Sequence, residues 1–238
     1  MTTFELQFED IVNFYNGISE TTTVAAIKEK IDELEELVNS VTLNMPEAGK
    51  FYRMHNDKKY ITSGVTDGKI ALSEDFDNAA SVYYYDGTHL LAFSTGLYMG
   101  LNSTDWTFEA VGSNDISTIE FVAAANGAVA KYNINSGGRW LHRTDAFVNR
   151  CTDNTCGNPH NWTIEEVTWL PIPMNTTAGY ATLISPVALS TYDWKSTTVH
   201  RVEAYVGKIE GDNFKMTRID EEDGVIPANT PVVLKYVK

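Results

Sequence analysis

A small set of residues in this chain combines flat ring faces with hydrogen-bonding groups at close spacing. Trp140, His142, Asp145, Asn149, Asn161 and Trp162 fall in one short stretch, and Asp105-Trp106 stands ahead of them. An exposed indole can lie against the C–H face of a ring-shaped ligand while Asp, Asn and His groups hydrogen-bond hydroxyls around its rim. That is recognition chemistry. The competing reading is packing, because large aromatics are mostly buried. Trp140 also shares an equivalent position with Tyr60 and Tyr98 in the repeat described below, which suits a barrel core or its cap. Trp106 breaks that repeat and is expected to be better exposed.

Bond-breaking chemistry has no comparable support. His55, His89, His142, His160 and His200 show no His-x-x-x-His spacing, and neither a Gly-x-Ser-x-Gly elbow nor a phosphate-binding glycine loop occurs. Carboxylate pairs are too plentiful to single out an acid/base couple. Asp220-Glu221-Glu222-Asp223-Gly224 offers hard oxygens to calcium but lacks the alternating spacing of an EF-hand loop, so a solvated loop is the preferred reading. Cys151 and Cys156 enclose four residues. They could form a disulfide that pins the loop, remain reduced structural thiols, or join His160 in a three-ligand metal site without a supporting spacing pattern. A secreted context favours the disulfide. The expectation is a non-enzyme with no cofactor and no metal.

The formal net charge of −14 on 238 residues repels nucleic-acid phosphates and anionic bilayers, so neither is an expected partner. The charge is uneven. Residues 1–45 hold nine acids against Lys28 and Lys30, a net of −7 that reads as a solvated helix surface. No apolar run is long enough for a bilayer-spanning helix. The first ten residues are acidic and lack the basic and apolar regions of a signal peptide, so the chain reads either as cytoplasmic or as a piece of a longer secreted protein.

The elements that must position the candidate residues follow from periodicity. Phe4, Phe8, Ile11, Tyr15 and Ile18, then Val24, Ile27, Ile31, Leu34, Val38 and Val41, recur at alternating spacings of three and four, which places each set on one helix face. Gly17 and Ser19–Thr23 separate the two sets, with Thr22 or Thr23 available as a cap. This predicts a helical hairpin over 1–45. From Pro46 the pattern changes to alternation broken by Gly and Asn/Asp turns, which predicts twelve short strands over 46–168.

The twelve fall into three sets of four. Tyr60-Ile61, Tyr98-Met99 and Trp140-Leu141 open the second strand of each set, behind Tyr52, Leu91 and Tyr132. The last strands start at Val82, Ile119 and Trp162, which lie 22, 21 and 22 residues after those aromatics, and are expected to alternate inward to Tyr84, Phe121 and Ile164. A three-bladed propeller would close poorly. A barrel of three such units, a β-trefoil, leaves no sheet edge. After the Leu170-Pro171-Ile172-Pro173 connector, strands at Tyr180–Leu189, Val202–Ile209, Phe214–Ile219 and Pro231–Tyr236 predict a small antiparallel β domain over 174–238. The fold class is mainly β, with an N-terminal helical hairpin, a central β-trefoil and a small C-terminal β domain.

Several stretches carry a resemblance: Pro46–Arg53, Gly96–Gly100, Asn161–Val167, Gly179–Leu189 and Gly224–Thr230. As a set they look like accessory regions of secreted multidomain surface proteins of gut bacteria. In those proteins a helical segment leads into a ricin-lectin-like β-trefoil and a small β domain, often after a glycoside hydrolase or sialidase catalytic domain. The ricin-type Gln-x-Trp signature is missing; its nearest analogues are Thr104-Asp105-Trp106 and His160-Asn161-Trp162. The resemblance implies a lectin-like, carbohydrate-binding accessory module, extracellular or on the bacterial cell surface, whose partners are host or dietary glycans and other domains of a parent chain. Its rival is a spacer or protein-interaction region without sugar affinity.

Overall fold

The structure, a computed structural model, describes residues 3–40, 45–75, 79–103, 105–124, 128, 130–152, 157–168, 170, 172, 177–190, 201–219 and 224–237. The fold is mainly β, with two helices at the N-terminus and several sheets.

Helices α1 (Thr3–Asn16) and α2 (Val24–Ser40) form where the apolar spacing predicts them. Thr23 caps α2, its Oγ1 accepting from the Ala26 amide at 3.2 Å, while Thr22 Oγ1 accepts from the Ser19 amide in the connecting turn. Lys30 from α2 reaches Asp10 of α1 at 2.8 Å. Among the described residues the helices pack chiefly on each other, and parts of both seams stay in water: Tyr15 is 73% exposed and Val24 83%.

Twelve strands follow, each overlapping one predicted from alternation: β1 (Lys50–Asn56), β2 (Lys59–Thr66), β3 (Lys69–Ser73), β4 (Tyr83–Tyr85), β5 (Leu90–Ala92), β6 (Leu97–Leu101), β7 (Trp106–Glu109), β8 (Glu120–Ala123), β9 (Tyr132–Ser136), β10 (Arg139–Arg143), β11 (Val148–Cys151) and β12 (Thr163–Glu166). β1 lies between β4 and β12, and β4 pairs β5. The Ile119 amide, just before β8, donates to the Thr88 carbonyl, just before β5, at 2.7 Å. β8 pairs β9, and Tyr132 and Trp162 exchange two backbone hydrogen bonds of 2.8 Å that tie β9 to the entry of β12. These contacts link the sheet of β8–β11 to the sheet of β1–β7 and β12. Both sheets contain hairpins, β2–β3 and β6–β7 in one and β10–β11 in the other. The tight β9–β10 turn is Gly137-Gly138, both at positive φ (55° and 76°), the backbone that a two-residue hairpin turn requires and that glycine adopts without a Cβ penalty.

The core of this block contains Met54, Ile61, Ile70, Leu90, Met99, Trp106, Ile134, Leu141, Val148 and Trp162, all with no exposed surface. The aromatics that open β2, β6 and β10 are only half-buried. It is the aliphatic residue after each that enters the core, because successive strand side chains point to opposite faces. In the same way Tyr83 and Tyr85 are buried while Tyr84 is half-buried and packs on Phe51, with ring centroids 5.3 Å apart.

The C-terminal region forms an antiparallel sheet in the order β13-β18-β15-β16, from β13 (Tyr180–Ile184), β15 (Arg201–Glu210), β16 (Asn213–Arg218) and β18 (Pro231–Val237). A second ladder pairs β14 (Leu189–Ser190) with β17 (Val225–Ile226). The single strand predicted over Tyr180–Leu189 is two strands. Ser185 breaks it, its hydroxyl donating to the Val187 carbonyl at 2.6 Å and accepting from the Val187 amide, with Pro186 between them. The β15–β16 turn centres on Gly211, at φ 63°. The inner face of this sheet packs Leu234, Val232 and Ala204 with Leu189 and Ile226, and into the same core come Val82 and Phe93 from the preceding block.

Candidate functional site

Hairpin β10–β11 carries Trp140, His142, Asn149 and Cys151 of the residues singled out in the sequence, with Asp145 in its turn. In its register Trp140 lies opposite Cys151 and His142 opposite Asn149, so these four share one face; Leu141 and Val148, on the other face, are buried in the core. Trp140, His142 and Asn149 are each half-buried.

Strand β3 adds Lys69, which no motif in the sequence marks. Lys69 donates to Asn149 Oδ1 at 2.5 Å, forms a 2.8 Å ion pair with Asp105, and holds its ammonium 4.8 Å from the centre of the Phe147 ring. Asp105 is fixed in turn. Its Oδ1 accepts from the Arg150 amide at 2.7 Å and from the Trp106 amide at 3.0 Å, so Oδ2 faces Lys69. Lys69, Asp105 and Phe147 each precede by four positions the residue that pairs with Tyr60, Tyr98 and Trp140 respectively. That common offset belongs to the strand pairing, not to the linear sequence. On the other flank of Trp140 stands Asn135, its cross-strand partner, whose Nδ2 donates to Glu120 at 2.7 Å.

Other candidates lie elsewhere. Trp106, expected to be exposed, is wholly buried: it begins β7 at a core-facing position, and its Nε1 donates toward the Trp140 carbonyl at 3.4 Å. Its ring offers no face to a ligand. Trp162 is equally buried, with Nε1 donating to the Leu141 carbonyl at 3.0 Å. Asn161 is buried and accepts from Asn133, whose amide also donates to the His160 carbonyl at 2.8 Å. The two buried indoles thus hold the backbone of β10 from the core side. Asp145 is exposed in the β10–β11 turn, which Thr144 closes by accepting from the Phe147 amide. His142 packs edge-on against buried His160 at 4.9 Å. Burial, with a smaller contribution from the Arg143 charge, lowers His142 below its ordinary value of 6.5, so its ring is neutral at pH 7 and offers one donor and one acceptor.

Cys151 ends β11 opposite Trp140, while Cys156 and the Asp220–Asp223 acids lie outside the described residues. Among the described residues no group of three His, Cys, Asp or Glu is placed to hold a metal ion.

No family model matches the sequence, and no curated protein matches it. Solved structures that match part of the chain include a GlcNAcα1-4Gal-releasing endo-β-galactosidase from Clostridium perfringens (13% identity, 52% of this chain and 34% of that one, TM-score 0.42). A mosquitocidal holotoxin matches at 16% identity over 77% of this chain and 23% of its own, with a TM-score of 0.42. The Haemophilus ducreyi cytolethal distending toxin matches at 11% over 57% of this chain and 95% of its own, with a TM-score of 0.41. The match spans about a third of the galactosidase and a quarter of the holotoxin.

Proposed function

We propose that the chain is a non-catalytic carbohydrate-binding module of β-trefoil type, and that its ligand lies on the face formed by Trp140, His142 and Asn149. The observation that carries this reading is the half-buried Trp140 indole set among neutral hydrogen-bonding groups on one hairpin. A sugar needs both parts: a ring face for its apolar C–H surface, and convergent donors and acceptors for its hydroxyls. The residues sit on paired strands with Leu141 and Val148 locked in the core, so little ordering is required on binding.

Three coincidences of register support the trefoil. Ile61, Met99 and Leu141 each follow the second-strand aromatic. Ile70, Trp106 and Val148 lie three residues before its cross-strand partner, and Met54, Leu90 and Ile134 lie one residue before its partner on the preceding strand. All nine are completely buried. Three units wrapping about one axis account for the same three levels recurring. The domain limits 46–168 and 174–238, a setting outside the cell and a place beside other domains of a larger bacterial protein complete the proposal, on the strength of the family resemblance. Single sites of this kind bind weakly and gain strength by tethering or multiple copies.

The test is a glycan array and titration with the whole chain. Binding to a glycan that weakens about tenfold or more in Trp140→Ala, with the thermal midpoint kept, is the expected result. A spacer or protein-interaction role is the second reading, favoured by the exposed Tyr15 and Val24 of the helices. An array without any signal, or binding indifferent to Trp140→Ala, decides against the proposed site.

A further inference from the structure

If the face around Trp140 binds sugars, its charges decide which ones. Among the described residues on that face, Lys69 brings the positive charge, and it is already held by Asp105 at 2.8 Å and by Asn149. Nearby Arg143 is paired with Asp57 at 3.2 Å, and the Arg150 guanidinium donates to the Ser103 carbonyl at 2.6 Å. The flank beyond Asn135 is a carboxylate, Glu120, and exposed Asp145 sits at the hairpin tip. The whole chain adds a background of −14. A carboxylate or sulfate on a sugar would therefore meet a compensated lysine beside the Glu120 and Asp145 carboxylates, with the Arg150 guanidinium turned to the Ser103 carbonyl.

We propose that this face takes uncharged sugars and rejects sialylated, uronic and sulfated ones, and that Asp105 sets this selectivity by neutralising Lys69. The inference rests on the sugar-binding reading above. Asp105 is a specificity-determining residue here because only 14% of its side chain is exposed, whereas the Lys69 that it neutralises is 30% exposed. Its carboxylate serves two ends: Oδ1 anchors the β7–β11 junction through the Arg150 amide, and Oδ2 cancels a charge.

Asp105→Asn separates these ends. The asparagine Oδ1 keeps the amide contacts, while its NH₂ faces Lys69 and leaves that ammonium uncompensated. The full chain and its variants are read on an array that displays neutral, sialylated and sulfated forms of the same glycan cores. The wild type binds neutral forms and not their acidic counterparts. Asp105→Asn gains roughly tenfold on the acidic forms, the size expected of one partly screened charge at close range, and loses that gain when Lys69→Met is added. Lys69→Gln is a second variant that spares the junction; it leaves Asp105 uncompensated and raises binding of chitosan oligomers relative to fully acetylated ones. Equal wild-type binding of neutral and acidic forms overturns the inference. So does neutral binding that persists while neither variant shifts preference, which leaves the sugar-binding reading standing. A wild type that binds nothing overturns both.

Discussion

Trp106→Ala separates a binding tryptophan from a structural one. Trp106 has no exposed surface and fills the core at the start of β7 with Ile70 and Val148 at matching levels. Removing the indole leaves a cavity lined by residues fixed on paired strands, which collapse poorly. Such Trp→Ala changes cost about 3–5 kcal/mol. The 3.4 Å Nε1 contact to Trp140 is long and adds little beside the cavity. A domain of this size has roughly 5–15 kcal/mol in total, and each kcal/mol moves the midpoint by about 2–4 °C. The expected outcome is a thermal midpoint lowered by roughly 6–20 °C, followed by far-ultraviolet circular dichroism, with the urea midpoint falling and its slope unchanged. Glycan binding measured well below the new midpoint should persist within about threefold, provided that Trp140 is intact. A midpoint within about 2 °C of the wild type, together with loss of binding, would refute the core assignment and return Trp106 to the ligand.

Two further perturbations probe the frame around the site. An ideal Cβ at Gly100 in β6 would come within 2.4 Å of Glu109 Cγ and 2.8 Å of the Asp115 carbonyl oxygen, so Gly100→Ala should destabilise by about 1–3 kcal/mol in urea titration. His142 has its pKa lowered by burial, so the unfolded chain binds more protons than the folded one as pH falls through 6.5 toward the folded value. Stability should therefore decline across that window, and His142→Gln should flatten the profile; an unchanged slope would remove His142 from its buried setting.

Alternation and turn residues located all twelve strands of the central block, because a period of two with one buried face leaves an unambiguous trace. The same trace misjudged depth. Repetition of Tyr60, Tyr98 and Trp140 drew attention to the aromatics, yet the neighbouring Ile61, Met99 and Leu141 are the core. A one-residue error in phase inverts every face assignment. Trp106 was misplaced for a related reason: it takes the level held by Ile70 and Val148, and so large a ring among aliphatics disguises the equivalence. Asp105 and Asn149 were legible as candidates, but the lysine that links them was not. Lys69 precedes Asn149 by 80 positions, and only strand pairing in three dimensions sets them side by side. The break at Ser185 depends on a hydroxyl that competes locally with the ladder, a choice that periodicity does not record.

Val82 and Phe93 belong to the first β block by sequence but to the second core by contact. A fragment stopped near residue 170 would present both to solvent with Phe51 and Val167 beside them, an oily scar inviting self-association. Cloning at the proline connector is thus poorly advised: the seam behaves as a weld, and the two halves are best produced and handled as one piece.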